Sequence, residues 1–353
     1  MLFSKRTAKI SAIIGNANAA TPITLNIFID MQKRLFLLLI GLFCLLPMGF
    51  RWGFFAHKKI NRLAVFTLPA DMAGFYKKNL DYITEAAVNP DRRRYSVPEE
   101  APRHYIDLDD YGDSAIYKLP RYWNQAVEKF GEDSLQAYGI LPWHINRVYL
   151  QLKEAFLLND PDRILRLSAD LGHYVADAHV PLHTTKNYDG QLTNQPGIHG
   201  FWESRLPELF FEQYDFYVGP ATYLPNVQLT AWEIIRQSNL AVDSVLQFEQ
   251  QLASENERFS FETKGKQTVK VYGQEYSQKY HRMLDGMVER MFRNSIKQTG
   301  NIWYTAWVDA GQPDLKKLIN YKPSEQELEK RKQELLLWRE QTVKSRNHEA
   351  TEN

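Results

Sequence analysis

From His57 onward, apolar residues recur at three- and four-residue spacing, the signature of helices that bury one face. The pattern predicts helices over His57–Leu68, Ala70–Val88, Leu119–Tyr138, Leu141–Leu158, Pro161–His179, Ala231–Leu252 and Glu275–Asp309. Pro142 and Pro161 fall near helix starts, where a first turn tolerates proline, and Pro181 closes the helix before it. Strict alternation occurs only over Phe259–Tyr272, around Lys264-Gly265-Lys266, and predicts a hairpin. The expectation is an all-α fold in one multi-helix domain spanning 52–322. Residues 323–353 are dominated by Lys, Glu, Gln and Arg. They read either as a helix capped onto the body by Leu335–Leu337 and Trp338, or as a solvated tail.

One segment breaks this pattern. Leu35–Leu46 is an unbroken apolar run preceded by Lys33 and Arg34, with Met31 just before them. It is too short to span a bilayer of about 30 Å as a helix and suits the core of a signal peptide. Residues 1–51 are therefore expected to be upstream sequence plus an export signal, with translation starting at Met31 and the product periplasmic or secreted. An uncleaved membrane anchor is the alternative. The stretch Pro47-Met48-Gly49-Phe50-Arg51 is a poor signal-peptidase site, with Arg51 rather than a small residue just before Trp52, and Cys44 has no lipobox around it.

Composition narrows the chemistry. Of 353 residues, 44% are hydrophobic and 24% charged, which is globular rather than disordered. The net charge of +1 gives no global field to attract nucleic acid, so a polyanionic partner needs a local site. Cys44 is the single cysteine, which excludes a disulfide framework and any cysteine-ligated zinc or iron–sulfur site.

The nine histidines are unevenly spread, and His173, His179, His183 and His199 fall close together. His173 and Asp177 are i and i+4 on a predicted helix and share a face. His199 and Glu203 repeat the spacing on a second one. Two helices that each offer an imidazole and a carboxylate can hold metal inside a bundle. Nitrogen and oxygen donors without sulfur suit catalytic zinc, and iron or manganese fit the same set. Further candidates precede them: Asp91 in NPDRRR, His104 and Asp107 in RHYID, and Trp52 five residues before His57. His179 and His144 read as structural histidines, His281 and His348 as surface ones, and Trp143 and Trp202 as core. Arg92, Arg93, Arg94 and Arg103 read either as a solvated loop or as an attractor for phosphate.

Taken together, Trp52, His57, Asp91, His104, His173, Asp177, His183, His199 and Glu203 resemble, in order and local spacing, the signature of the zinc-dependent phospholipases C and the fungal and plant single-strand-specific zinc nucleases. The resemblance covers about 52–210 and implies an all-α domain with three Zn2+. It implies that Asp91, His104, His173 and one oxygen of Asp177 hold the first zinc. Trp52, through a freed α-amine and its carbonyl, would hold the second with His57 and the other oxygen of Asp177. His183, His199 and Glu203 would hold the third. A water between two dications loses a proton near neutral pH, and the resulting hydroxide would attack phosphorus in line. Asp107 would orient it, and Tyr105 would line the pocket as an aromatic wall.

The substrate is less sharply specified. Glu203 and the Gly197-Ile198-His199 context are similar to the phospholipase branch, whereas Trp202 and His104-Tyr105-Ile106-Asp107 are similar to the nuclease branch. The expectation is a phospholipase C-like phosphodiesterase acting on a phospholipid head group, with possible membrane-surface contact. The alternative within the superfamily is a single-strand nuclease or 3'-nucleotidase. The alternative of another class is a non-catalytic, zinc-stabilised exported binding protein. A third zinc with only three protein ligands keeps a position open, which favours an enzyme.

Overall fold

The computed structural model of the chain describes residues 54–264 and 267–337. The expectations for the leader, Trp52, Trp338 and His348 lie outside the described residues. Within them the chain is predominantly helical, and its only sheet is one antiparallel hairpin, β1 (Phe259–Lys264) and β2 (Gln267–Tyr272). No described helix is long and apolar enough to cross a membrane.

The elements up to the first long helices are α1 (Phe54–Ala64), α2 (Ala70–Lys78), α3 (Leu80–Ala86), α4 (Asn89–Arg93), α5 (Trp123–Phe130) and α6 (Glu132–Tyr138). The body is built from α7 (Leu141–Leu157), α8 (Pro161–Ala178), α9 (Val227–Ala253) and α11 (Met287–Asp309), with α10 (Gln274–Met283) between the last two. Asp160 caps α8 by accepting from the Arg163 N–H at 3.0 Å, with Pro161 in the first turn. Leu152, Phe156, Leu165, Ala169, Val175 and Trp303 meet in the principal core. From Leu171 to Ala178 every residue of α8 is buried. That stretch includes His173 and Asp177, so two ionisable groups sit where an apolar core would be expected and must find partners.

Helix α1 lies against α8, α3 and α11. The approach is close at Gly172, where an added Cβ would fall 1.9 Å from Asn61 Oδ1. Asn61 itself is buried and donates to the Ala169 carbonyl at 3.0 Å. Gly172→Ala is therefore expected to wedge α1 away from α8 and cost about 1–3 kcal/mol in chemical denaturation. Unchanged stability would contradict this packing.

Three predicted helices are divided. Ala70–Val88 breaks at Asn79, which takes a non-helical backbone. Leu119–Tyr138 starts only at Trp123 and is cut by Gly131 at φ 75°. Glu275–Asp309 is cut at Asp285 and Gly286, with φ 47° and 70°. In the last two the left-handed backbone stops a helix even though the apolar period continues across it. The C-terminal stretch does form a helix, α12 (Glu325–Glu334). Leu335 and Leu336 are exposed, while Arg331 pairs with Asp162 at 2.8 Å and sits 3.9 Å from the Tyr82 ring centroid.

Candidate metal centre

Eight of the nine predicted ligands lie in described residues, and the fold gathers all eight into three adjoining groups: Asp91, His104 and His173; His57, His173 and Asp177; and His183, His199 and Glu203. The eight come from several kinds of local structure. His57 stands in the first turn of α1, Asp91 on the short α4, and His173 and Asp177 on consecutive turns of α8. His104 and His183 end or near the end of 3-10 turns, Ala101–His104 and Pro181–Thr184. His199 and Glu203 were expected on an ordinary helix. Instead a single α turn, Ile198–Gly200, runs into a π turn, Phe201–Arg205. The wider i→i+5 winding carries residue i+4 nearly back over residue i. It places Glu203 Oε2 2.7 Å from His199 Nε2. The hairpin braces this turn: Tyr272 stacks on Phe201 at 3.8 Å between centroids, and Arg205 pairs with Glu262.

The carboxylates link the groups. Asp177 Oδ2 lies 2.9 Å from His104 Nδ1 and 3.3 Å from His173 Nε2, and its Oδ1 is 3.4 Å from His57 Nε2. Asp177 thus stands between two groups, as the resemblance implies for a bridging carboxylate. Glu203 also faces two ways, with Oε1 3.2 Å from His57 and Oε2 near His183 and His199. Asp91 is the most distant member, 3.7 Å from His173 and 3.9 Å from His104, and it pairs with Arg94 at 3.4 Å.

Three imidazoles reveal their tautomer. Nδ1 of His173 meets the Ala87 carbonyl at 2.9 Å, Nδ1 of His199 meets the Tyr188 carbonyl at 3.0 Å, and Nδ1 of His183 meets the His104 carbonyl. A carbonyl only accepts, so each Nδ1 carries a proton, and a ring that is neutral turns the lone pair of Nε2 inward. Nε2 of His183 and Nε2 of His199 then face each other at 3.1 Å, with a carboxylate oxygen alongside. Converging lone pairs and anionic oxygens in a buried space repel unless a proton or a cation lies between them. This donor set fits divalent metal.

Protons play that part in the metal-free chain. Burial opposes charging His57, but its hydrogen bond to Glu203 and the charges of Asp177 and Asp91 raise its pKa to about 9. Burial likewise opposes charging His104, yet Asp177 and Glu100 raise its pKa to about 9. Asp177 and Glu203 are pushed up by burial but held well below the carboxylate range by the histidines around them. At pH 7.5 both His57 and His104 are therefore protonated without metal, and a coordinated ring nitrogen cannot be. Metal uptake should release roughly two protons per chain. Calorimetric titration in buffers of different ionisation heat would show this, and a binding heat independent of buffer would contradict it.

The remaining candidates are placed as follows. Asp107 is buried in the link after the His104 turn, and Tyr105 is buried with its backbone and ring against Gly139; neither belongs to any of the three groups. His179 is buried, with Nδ1 2.7 Å from the Val175 carbonyl. His144 is buried with its ring edge-on to Tyr174. His281 is no free surface histidine; it bonds Tyr214 at 2.9 Å. The arginines do not form a solvated loop: Arg92 and Arg94 are buried, and Arg93 pairs with Asp170 at 3.0 Å and Glu100 at 3.2 Å. Glu100 escaped the sequence reading, although its i−4 spacing from His104 was a signal.

Beside His57 and Glu203 lies a small pocket of about 30 Å³, walled by Ile60, Val288, Met291 and Phe292 among others. No protein-family model matches the chain, and no curated protein is significantly similar to it.

Proposed function

We propose that this chain is an exported, zinc-dependent phosphodiester hydrolase of the phospholipase C and zinc nuclease superfamily, with the fold of that superfamily. The observation that carries the proposal is the convergence of three buried nitrogen–oxygen donor groups, two of them sharing the carboxylate of Asp177. His104, His173, Asp91 and Asp177 would hold one zinc, His57 and Asp177 a second together with Trp52, and His183, His199 and Glu203 the third. Bound zinc would supply Lewis acidity, acidifying a water near neutral pH and neutralising charge on the phosphoryl group.

The chain's own residues do the rest. Backbone carbonyls lock His173, His183 and His199 in one tautomer and orientation. Burial of the eight described donors strengthens each charge–charge contact among them. The group of His183, His199 and Glu203 offers only three donors, which leaves room for a substrate oxygen and supports an enzyme over a structural site.

Among phosphodiesters, Glu203 and the Gly197-Ile198-His199 context, which are similar to the phospholipase branch, support the phospholipase C-like reading. The zinc-loaded protein is expected to release a phosphorylated head group from phosphatidylcholine vesicles faster than it cleaves single-stranded DNA. Preferential cleavage of DNA would make it a nuclease of the same superfamily, and turnover of neither would overturn the proposal.

A further inference from the structure

Beyond the ligands themselves, we infer that Glu100 is a positioning residue for the metal centre, selecting the tautomer of His104 that turns Nδ1 inward; the inference rests on the metal-centre reading above. Glu100 is fully buried. One oxygen, Oε2, accepts from Arg103 at 2.7 Å and Arg93 at 3.2 Å. The other, Oε1, accepts from the Tyr174 hydroxyl and lies 3.7 Å from Nε2 of His104. That separation is an ion-pair distance, too long for a hydrogen bond. The carboxylate therefore acts on His104 through its charge.

His104 differs from its neighbours in which edge it presents. His173, His183 and His199 donate Nδ1–H to carbonyls and turn Nε2 inward. His104 turns Nδ1 inward, 2.9 Å from Asp177 and 3.1 Å from His173. For that nitrogen to ligate, its proton must sit on Nε2. A negative charge facing Nε2 favours a proton there, and a carboxylate behind a ligating histidine also raises the basicity of the other nitrogen. Arg93 ties the arrangement together, since it bonds Glu100 and, on α8 one turn before Tyr174, Asp170. The arginines that read as a loop in the sequence thus anchor the carboxylate that orients a ligand.

Glu100→Gln tests this sharply. The arginines on Oε2 would hold the amide oxygen, which turns the NH2 toward Tyr174 and His104. An N–H facing Nε2 favours the opposite tautomer, with the proton on Nδ1 where the metal should bind. Zinc affinity at this site is expected to fall about 10–100-fold, measured by competition with a chromophoric chelator. Tyr174→Phe removes another partner of Glu100 while leaving its charge beside His104, so stability should drop and affinity should hold. Glu100→Asp keeps the charge and should recover most of the loss.

A purely structural Glu100 would make the Gln and Phe variants alike, destabilised with wild-type zinc affinity, and that result overturns the inference. A second measurement needs no variant. In the zinc-loaded wild-type protein, long-range nitrogen–proton NMR should find the His104 proton on Nε2, and a proton on Nδ1 overturns the inference. A wild-type protein that binds no metal would instead defeat the metal-centre reading itself.

Discussion

On the proposed function, Asp177→Asn is expected to lower phosphodiesterase activity by at least about 100-fold and to strip metal from two sites at once, while the helix around it survives. Its two oxygens face different groups, Oδ2 toward His104 and His173 and Oδ1 toward His57. An amide keeps the shape but loses the charge that would offset two dications in a buried space. One oxygen would also become an N–H donor aimed at nitrogens that must offer lone pairs. The residue lies in the last turn of α8, whose capping at Asp160 and apolar contacts at Leu165, Ala169 and Val175 are untouched. Circular dichroism should therefore be unchanged while metal content falls. Wild-type turnover with full zinc would count decisively against the bridging role.

Processing at Trp52 is expected to have the next largest effect. Trp52 lies outside the described residues, but the group it would complete is sparse. Within described residues, the His57 side of the centre has one imidazole of its own and carboxylates shared with its neighbours. Four-coordinate zinc needs more. The resemblance assigns the missing donor to an α-amine freed at Trp52, and a peptide nitrogen cannot replace it because its lone pair is delocalised. A chain still carrying Arg51 and the leader should bind roughly two zincs firmly, and one beginning at Trp52 roughly three, with the higher activity. Metal analysis of both forms, their termini verified by mass, decides the matter. Equal zinc and equal rates would remove Trp52 from the centre.

Much of this centre was legible in the sequence because helices translate spacing directly into shared faces. His173 and Asp177 behave as their i, i+4 spacing predicts, and both sit on the buried face of α8. His199 and Glu203 also meet, but through a π turn that no residue pattern in that stretch announced. The arginines near Asp91 misled because a run of charges reads as solvated unless its partners are known. Those partners, Asp170 and Glu100, come from α8 and from the segment before His104. The helix breaks at Gly131 and Asp285-Gly286 were hidden for a related reason, since apolar periodicity records which side is buried and not where the backbone turns left-handed. In the C-terminal helix Arg331 meets Asp162 and the ring of Tyr82, again partners distant in sequence.

The most direct measurement is metal content against turnover on one preparation. Protein beginning at Trp52 is purified, assayed for bound metal, and tested on a chromogenic phosphodiester before chelation, after it, and after zinc is restored. The metal-centre account predicts about three zincs per chain, activity lost on chelation and recovered with zinc. A folded protein that binds no divalent metal, or one that hydrolyses the ester equally well once stripped, would contradict it.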